Sequence, residues 1–484
     1  MRPQITNTNV QTFDVHELSF ESAGALGFIN EYSGLAVAPA RLYRLRRTQT
    51  RTSLFVTLAP KEVAMKPNTI SDFAALVGID WADAKHDICL QPAPGGLREF
   101  RVLPHDSVAI AEWAQALHGR FPGRIAVCLE LAKGPLVYAL QKYDFLVLFP
   151  INPSTLAKYR EAFTPSRAKD DPTDAELALD FLACHPERLQ PLQPQSAAMR
   201  TLDALVRERR QLVDDQGRLT NRLCVALKQY FPQVLAWFPS LDTLLCCAFL
   251  TRYSTLKQAQ CARRTTLTKF FHEHHLRNPA LIATRLAAIK AAQPLTEDPA
   301  VVLPNKLLVL ALVDELRASL AAIARFDAAI AELAPTLPDY PLFHHLPGAG
   351  PVMAPRLLVA FGEDRSRYPD AACLQRYTGI APVLERSGKQ SWVHWRWQCP
   401  TFLRQTFVEW AGQTIPHSFW AAAFYRQQRA KGASHHATLR ALAFKWLRIL
   451  HRCWQTRTPY DEAKYLNALQ RRGSPLLKTT APSA

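Results

Sequence analysis

The order of short apolar runs between residues 71 and 150 constrains this chain more than any other feature. "ALVGIDWA" (75–82) reads as a strand, "KHDICLQP" (85–92) as its partner after a short turn, and "GGLREFRVL" (95–103) as a third strand after a Gly-Gly turn. "DSVAIAEWAQALHG" (106–119) has helical spacing, with Asp106 placed to cap it. "RIAVCLELA" (124–132) is a further buried strand, "GPLVYALQKY" (134–143) a helix and "FLVLFPIN" (145–152) a fifth strand. Three antiparallel strands feeding strand–helix–strand crossovers require a sheet covered on both faces.

Composition bounds what such a sheet can belong to. At roughly 150 residues per domain, 484 residues suggest about three domains. A net charge of +17 points to a polyanionic partner, and charge alone does not choose between nucleic acid and an anionic membrane. No apolar run approaches the ~20 residues that cross a bilayer, so an integral membrane protein is not expected. The opening "MRPQITNTNVQTFDV" does not read as a secretory signal. Ten cysteines without a C-x-x-C fit a reducing cytoplasm better than a zinc site or a disulfide framework. Residues 1–70 lack periodicity and read as a disordered N-terminal extension, with Met65 as a candidate natural start.

Beyond the sheet region, which is read as residues 71–190, the character turns helical over 191–336. Leu202, Leu205, Leu212, Leu219 and Leu223 lie near a heptad stripe, and "NKLLVLALVDELRASLAAIARFDAAIAELA" (305–334) is a second long amphipathic helix. The two could form an antiparallel hairpin or a dimerising coiled coil, and the pattern alone does not choose. Pro335, Pro338 and Pro341 mark a boundary to a mainly helical region, 337–458, rich in basic and aromatic residues. Residues 459–484 read as a tail, and "RRGSPLLKTTAPSA" as disordered.

The chemistry-bearing residues are carboxylates. Asp80 ends the first strand, Glu130 lies near the end of the fourth, and Asp171 and Asp174 stand three apart at a helix start, on one face. The element order resembles an α/β RNase H-like (RuvC-like) fold, in which the first and fourth strands are neighbours. Clustered carboxylates repel one another unless they hold a hard cation, and Mg²⁺ prefers such oxygens. Each acid also has a plain structural use, as a turn residue, a cap, or a helix-start acid favoured by the dipole. Asp83, Asp87 and Asp170 rank below them. "LPGAGPVMAPRLL" (346–358) reads as a helix-hairpin-helix element in which Gly348 and Gly350 allow backbone N–H groups to meet a phosphate, with simple turn formation the even alternative. Arg396, Arg426, Arg429, Lys431 and Arg440, interleaved with tryptophans, suit a nucleic-acid surface. "FHEHH" (271–275) is not the H-E-x-x-H metal arrangement.

Taken together, "VGIDWADAKHDICL", "CLE", "INPSTLAKYREAFTPSRAKDDPTDAELA" and "LPGAGPVMAPRLLVAFGEDRSRYPDAACLQRYTGIAPVLERSGK" resemble the DEDD-type insertion-sequence transposases, over residues 70–455. The resemblance implies a RuvC-like domain whose Asp80, Glu130, Asp171 and Asp174 bind Mg²⁺ or Mn²⁺, and a C-terminal domain whose nucleophile matches Ser387. It also implies donor and target DNA as partners, an element-encoded guide RNA, a homo-oligomer (dimer or tetramer), and a cytoplasmic, nucleoid-associated protein. Pro172 departs from the usual "K-x-D-x-x-D-A", but proline is tolerated in a first helical turn. Arg386 and Lys389 flank the serine and could hold phosphate oxygens. A polar surface turn is the competing reading of "ERSGK". Two alternatives stay open: a RuvC-like structure-specific endonuclease without serine chemistry, and a non-catalytic nucleic-acid-binding protein.

Overall fold

The computed structural model describes residues 70–93, 95–163, 171–388 and 390–480. The expected N-terminal extension with Met65, and the residues Asp170 and Lys389, lie outside them. The chain divides into two compact units, one ending at Pro194 and the other running from Gln195 onward.

The first unit is built on a five-stranded sheet: β1 (Ala75–Trp81), β2 (Lys85–Pro92), β3 (Glu99–Pro104), β4 (Ile125–Leu129) and β5 (Leu146–Pro150), in the order β3-β2-β1-β4-β5. The first three strands pair antiparallel, whereas β1 with β4 and β4 with β5 pair parallel. Helix α1 (Ser107–Arg120) follows β3, and Asp106 accepts from the Val108 and Ala109 N–H groups, satisfying two donors that would open the helix unpaired. Helix α2 (Pro135–Leu140) joins β4 to β5. On one face Val77, Ile79, Val127 and Leu129 pack with Trp113 of α1 and Val137 of α2. The other face is covered by α4 (Asp171–Cys184), which follows α3 (Pro153–Phe163). A mixed sheet buried on both faces explains why β4 is apolar throughout rather than alternating. The arrangement fits an α/β RNase H-like domain.

In the second unit, α5 (Ala197–Tyr230) and α6 (Pro299–Leu333) pack against each other antiparallel. Met199, Leu202 and Val206 near the start of α5 share a core with Ile330 near the end of α6. Leu223 and Leu227 share a second core with Val309, Leu312 and Leu316. The leucine stripe is therefore used within the chain. Helix α6 begins at Pro299, capped by Asp298, and not near Asn305 as the sequence suggests. It continues through Pro304, and the Asn305 side chain donates to the Val301 carbonyl at 2.9 Å within that disturbed turn.

The last region is mainly helical, as expected: α7 (Gly350–Phe361), α8 (Thr401–Thr414), α9 (Phe419–Ala430) and α10 (His435–Thr456), with a two-stranded sheet of β6 (Val383–Ser387) and β7 (Gln390–His394) between α7 and α8. Trp410, Trp420, Trp446 and Trp454 are fully buried in its core. Each indole N–H finds an acceptor there: Pro347 O, Tyr460 Oη, Thr414 Oγ1 and Gly362 O respectively. The segment read as a disordered tail is ordered through residue 480. Glu462–Arg471 is helical and Leu476 is buried in the same core, anchorage that polar composition conceals.

Candidate functional site

The parallel pairing of β1 with β4 ends at Ile79↔Leu129, so Asp80 and Glu130 follow side by side at the C-terminal ends of adjacent central strands. Strand alternation puts Asp80 on the face of Leu76 and Gly78, and Glu130 on the face of Ala126 and Cys128. Leu76, Ala126 and Cys128 share one core with Ala175, Ala178 and Leu179 of α4, which identifies that face as the one α4 covers. Burial, and secondarily the Glu130 carboxylate, push the Cys128 thiol up to about 12. Asp80 and Glu130 are half-buried.

Asp171 and Asp174 lie in the first turn of α4, with Pro172 accommodated at the second position. Asp174 is buried, and Arg160 of α3 grips its Oδ1 through Nε at 2.6 Å and Nη2 at 2.5 Å. Three features hold α4 over the strand ends. Gly78 lets the helix approach so closely that a Cβ there would stand 2.0 Å from the Ala175 carbonyl oxygen and 2.6 Å from the Leu179 nitrogen. Arg98, after β2, ion-pairs with Glu176 at 2.5 Å and also with Asp180. Arg160 ties α3 to the same helix. Sequence reasoning missed all three. A glycine inside an apolar strand is a legible sign of close backbone approach. The two arginines carry no local signal, because their partners lie 78, 82 and 14 residues away.

Asp87, ranked low in the sequence, stands directly opposite Asp80 in the β1–β2 register and is buried, with Lys85 Nζ at 3.6 Å. Directly opposite residues share a face, so a second carboxylate borders Asp80. Among the described residues, no three His, Cys, Asp or Glu side chains are grouped closely enough to hold a metal ion.

The second unit carries the remaining candidates. Ser387 ends β6 and pairs with Gln390 across a turn in which Gly388 takes φ +55°. Ser387 and Arg386 are exposed on this hairpin. At its base, Arg396 Nε donates to Ala381 O at 3.2 Å, and Arg440 stacks over the Trp395 ring at 4.0 Å. Arg426 and Arg429 are exposed on α9, and Lys431 follows that helix half-buried. Of the interleaved aromatics, Trp420 and Phe424 are core, whereas Trp397 and Phe419 are exposed. Gly348 and Gly350, at φ +67° and +54°, form the tight entry to α7.

Comparison with known proteins gives two family matches. A transposase model, DEDD_Tnp_IS110, matches residues 77–232, and a model described as the transposase IS116/IS110/IS902 family matches residues 340–426. Together these take in half of the chain. The chain is 29% identical over 420 residues to the "Mini-circle putative transposase for IS117" of Streptomyces coelicolor, covering 84% of this chain and 98% of that protein. It is 28% identical over 386 residues to the "Insertion element IS116 uncharacterized 44.8 kDa protein" of Streptomyces clavuligerus, covering 77% and 93%. It is 31% identical over 221 residues to "Putative transposase y4uE" of Sinorhizobium fredii, covering 45% and 61%.

Proposed function

This chain belongs to the IS110-type DEDD transposase family, and from that premise we propose that it cuts and rejoins DNA strands of an insertion sequence through a serine-linked intermediate. The observation that carries the reading is the side-by-side ending of β1 and β4 at Asp80 and Glu130, beneath the helix that begins with Asp171 and Asp174. Carboxylate oxygens are the donors that hard divalent cations prefer, so by donor type these acids would suit Mg²⁺ or Mn²⁺. Among the described residues they are not grouped closely enough to hold it as they stand, and Asp174 is held by Arg160. Bound there, the metal would supply charge stabilisation for phosphodiester chemistry.

In the proposed chemistry Ser387 Oγ attacks phosphorus. The Oγ–P bond forms as a deoxyribose oxygen departs; the serine proton goes to a base and the departing oxygen takes up a proton. Attack by the hydroxyl of another strand then reverses the step and frees the serine, conserving the phosphoester bond count. Arg386 and Lys389 would bind the non-bridging oxygens. Gly348, Gly350, Arg396, Arg426, Arg429, Lys431 and Arg440 would hold the DNA backbone. Residues 71–190 would act as the RuvC-like domain, 191–336 as a helical connector and 337–458 as the serine domain, the latter with a helix-hairpin-helix entry to α7. The same reading includes a guide RNA, a homo-oligomer, and a cytoplasmic, nucleoid-associated site of action. Among the described residues no helix is long and apolar enough to cross a membrane.

Strand cleavage by Ser387→Ala and Asp80→Asn variants tests the proposal, and both should abolish it while DNA binding persists. Cleavage that survives Ser387→Ala would favour a nuclease using the acids alone. DNA transactions untouched by Asp80→Asn would favour a binding protein.

A further inference from the structure

Helix α7 opens without a side-chain cap. Ala349 occupies the cap position, Pro351 has no N–H, and the Gly350 and Val352 N–H groups therefore start the helix without intrahelical partners. A cleft of about 380 Å³ lies at this end, and its lining includes Ala349, Val352, Arg209, Arg210, Arg356 and Glu409. Arg356 sits one and a half turns into α7, where a long side chain leans back toward the helix start. It is 3% exposed. Its Nη1 donates to Glu409 at 2.7 Å and its Nε to Thr406 at 3.2 Å, but its Nη2 is buried without a hydrogen-bond partner. Arg210 repeats the pattern: Nη2 donates to Asp214 at 2.7 Å and lies 3.7 Å from Glu409, while Nε is buried and unpartnered. Arg209 is held by Asp327 at 2.5 Å.

We infer that this cleft is a seat for one backbone phosphate of DNA, held by the α7 N-terminus, Arg356 Nη2 and Arg210. A buried guanidinium donor left unmade is costly, and the fork geometry of arginine matches phosphate oxygens. A helix N-terminus supplies the remaining donors. Glu409, Asp214 and Asp327 answer the three guanidinium charges, so an anion is called for by the unmade donors rather than by net charge. Burial depresses the Arg356 guanidinium below its ordinary value even with Glu409 beside it, and Arg210 and Arg209 add to the crowding of positive charge. An anion would supply acceptors for the unpartnered Arg356 Nη2 and Arg210 Nε. Gly350 is open on its Cβ side, with nothing within 4 Å, so a strand can approach its backbone. This inference rests on the DNA-processing reading and adds Arg209, Arg210 and Arg356 to it.

The test is fluorescence anisotropy of the full chain with a labelled DNA duplex over a salt series. Val352→Glu places a carboxylate among the residues that line the cleft, in the first turn of α7, where an acid favours the helix. The fold should therefore hold while DNA binding weakens about tenfold and the salt slope falls by roughly one phosphate contact. Arg356→Lys, which keeps the charge but loses Nη2, should weaken binding in the same direction. Gly119→Asp, at an exposed position with nothing within 4 Å, controls for net charge. Val352→Glu and Arg356→Lys variants that bind like Gly119→Asp would overturn the inference and leave the transposase reading standing. Failure of the unaltered protein to bind DNA would instead sink the parent reading. Losses confined to an RNA hairpin, with duplex DNA binding unchanged, would reject the DNA assignment.

Discussion

Replacing Gly78 by alanine separates two opposed effects of known sign. In an unstrained position Gly→Ala stabilises by about 0.4–1 kcal/mol, because the unfolded chain loses freedom. At Gly78 the added Cβ would lie 2.0 Å from the Ala175 carbonyl oxygen, 2.6 Å from the Leu179 nitrogen and 3.0 Å from the Leu179 Cβ. The first two are backbone atoms, so no side-chain rotation relieves them; α4 must move outward by more than an ångström. Overpacking of this kind costs about 1–3 kcal/mol, which exceeds the entropic gain. The displaced helix carries Asp171 and Asp174, and a misplacement of about 1 Å in a catalytic group can cost about 100-fold in rate. Urea unfolding should therefore show net destabilisation, and strand cleavage should fall by about two orders of magnitude. Gly119→Ala, exposed on α1 with open space around it, should instead stabilise by about 0.5–1 kcal/mol and leave cleavage unchanged. A Gly78→Ala protein as stable and active as the parent would refute the claim that close helix approach positions the acids.

Three further outcomes follow from the same unit. His86 is fully buried against His105 at 3.0 Å, and burial, reinforced by the His105 charge and opposed by Asp87, lowers its pKa to about 4. Between pH 6.5 and about 4 the unfolded chain binds a proton that the folded one refuses. Stability should thus fall with pH in that window, by at most about 3 kcal/mol, and His86→Gln should flatten the dependence measured by denaturant titration. Arg98→Met removes the ties to Glu176 and Asp180, all about a third exposed, so the loss in urea should be only about 1 kcal/mol. Cleavage should drop more than that stability change alone explains. Asp106→Ala removes the α1 cap and should lower stability by about 1 kcal/mol without altering cleavage.

The sheet was legible because strand periodicity and short turns are local signals, and its order follows from the crossovers. Asp80 and Glu130 could be paired in advance for the same reason. Asp106 was legible as a cap because capping acts within one turn. What escaped was tertiary. Gly78 offered a hint, but Arg98 and Arg160 are ordinary arginines until α4 is placed over the strands. Arg209 and Arg210 read as the charged side of an amphipathic helix, yet both side chains are largely covered. The place of Asp87 opposite Asp80 escaped because strand register, not sequence distance, sets it there. The start of α6 was misjudged because Pro304 ordinarily ends a helix, and the side-chain bond from Asn305 is invisible before folding.

The central claim is that Ser387 forms the covalent link to DNA, with the carboxylates at the ends of β1 and β4 required for it. The most direct measurement traps the protein–DNA adduct on a nicked substrate with Mg²⁺ and maps the modified residue by peptide mass spectrometry. A phosphodiester on Ser387 that disappears in Asp80→Asn is the expected result. A link at any other residue, or a Ser387 adduct that forms undiminished in Asp80→Asn, would contradict it.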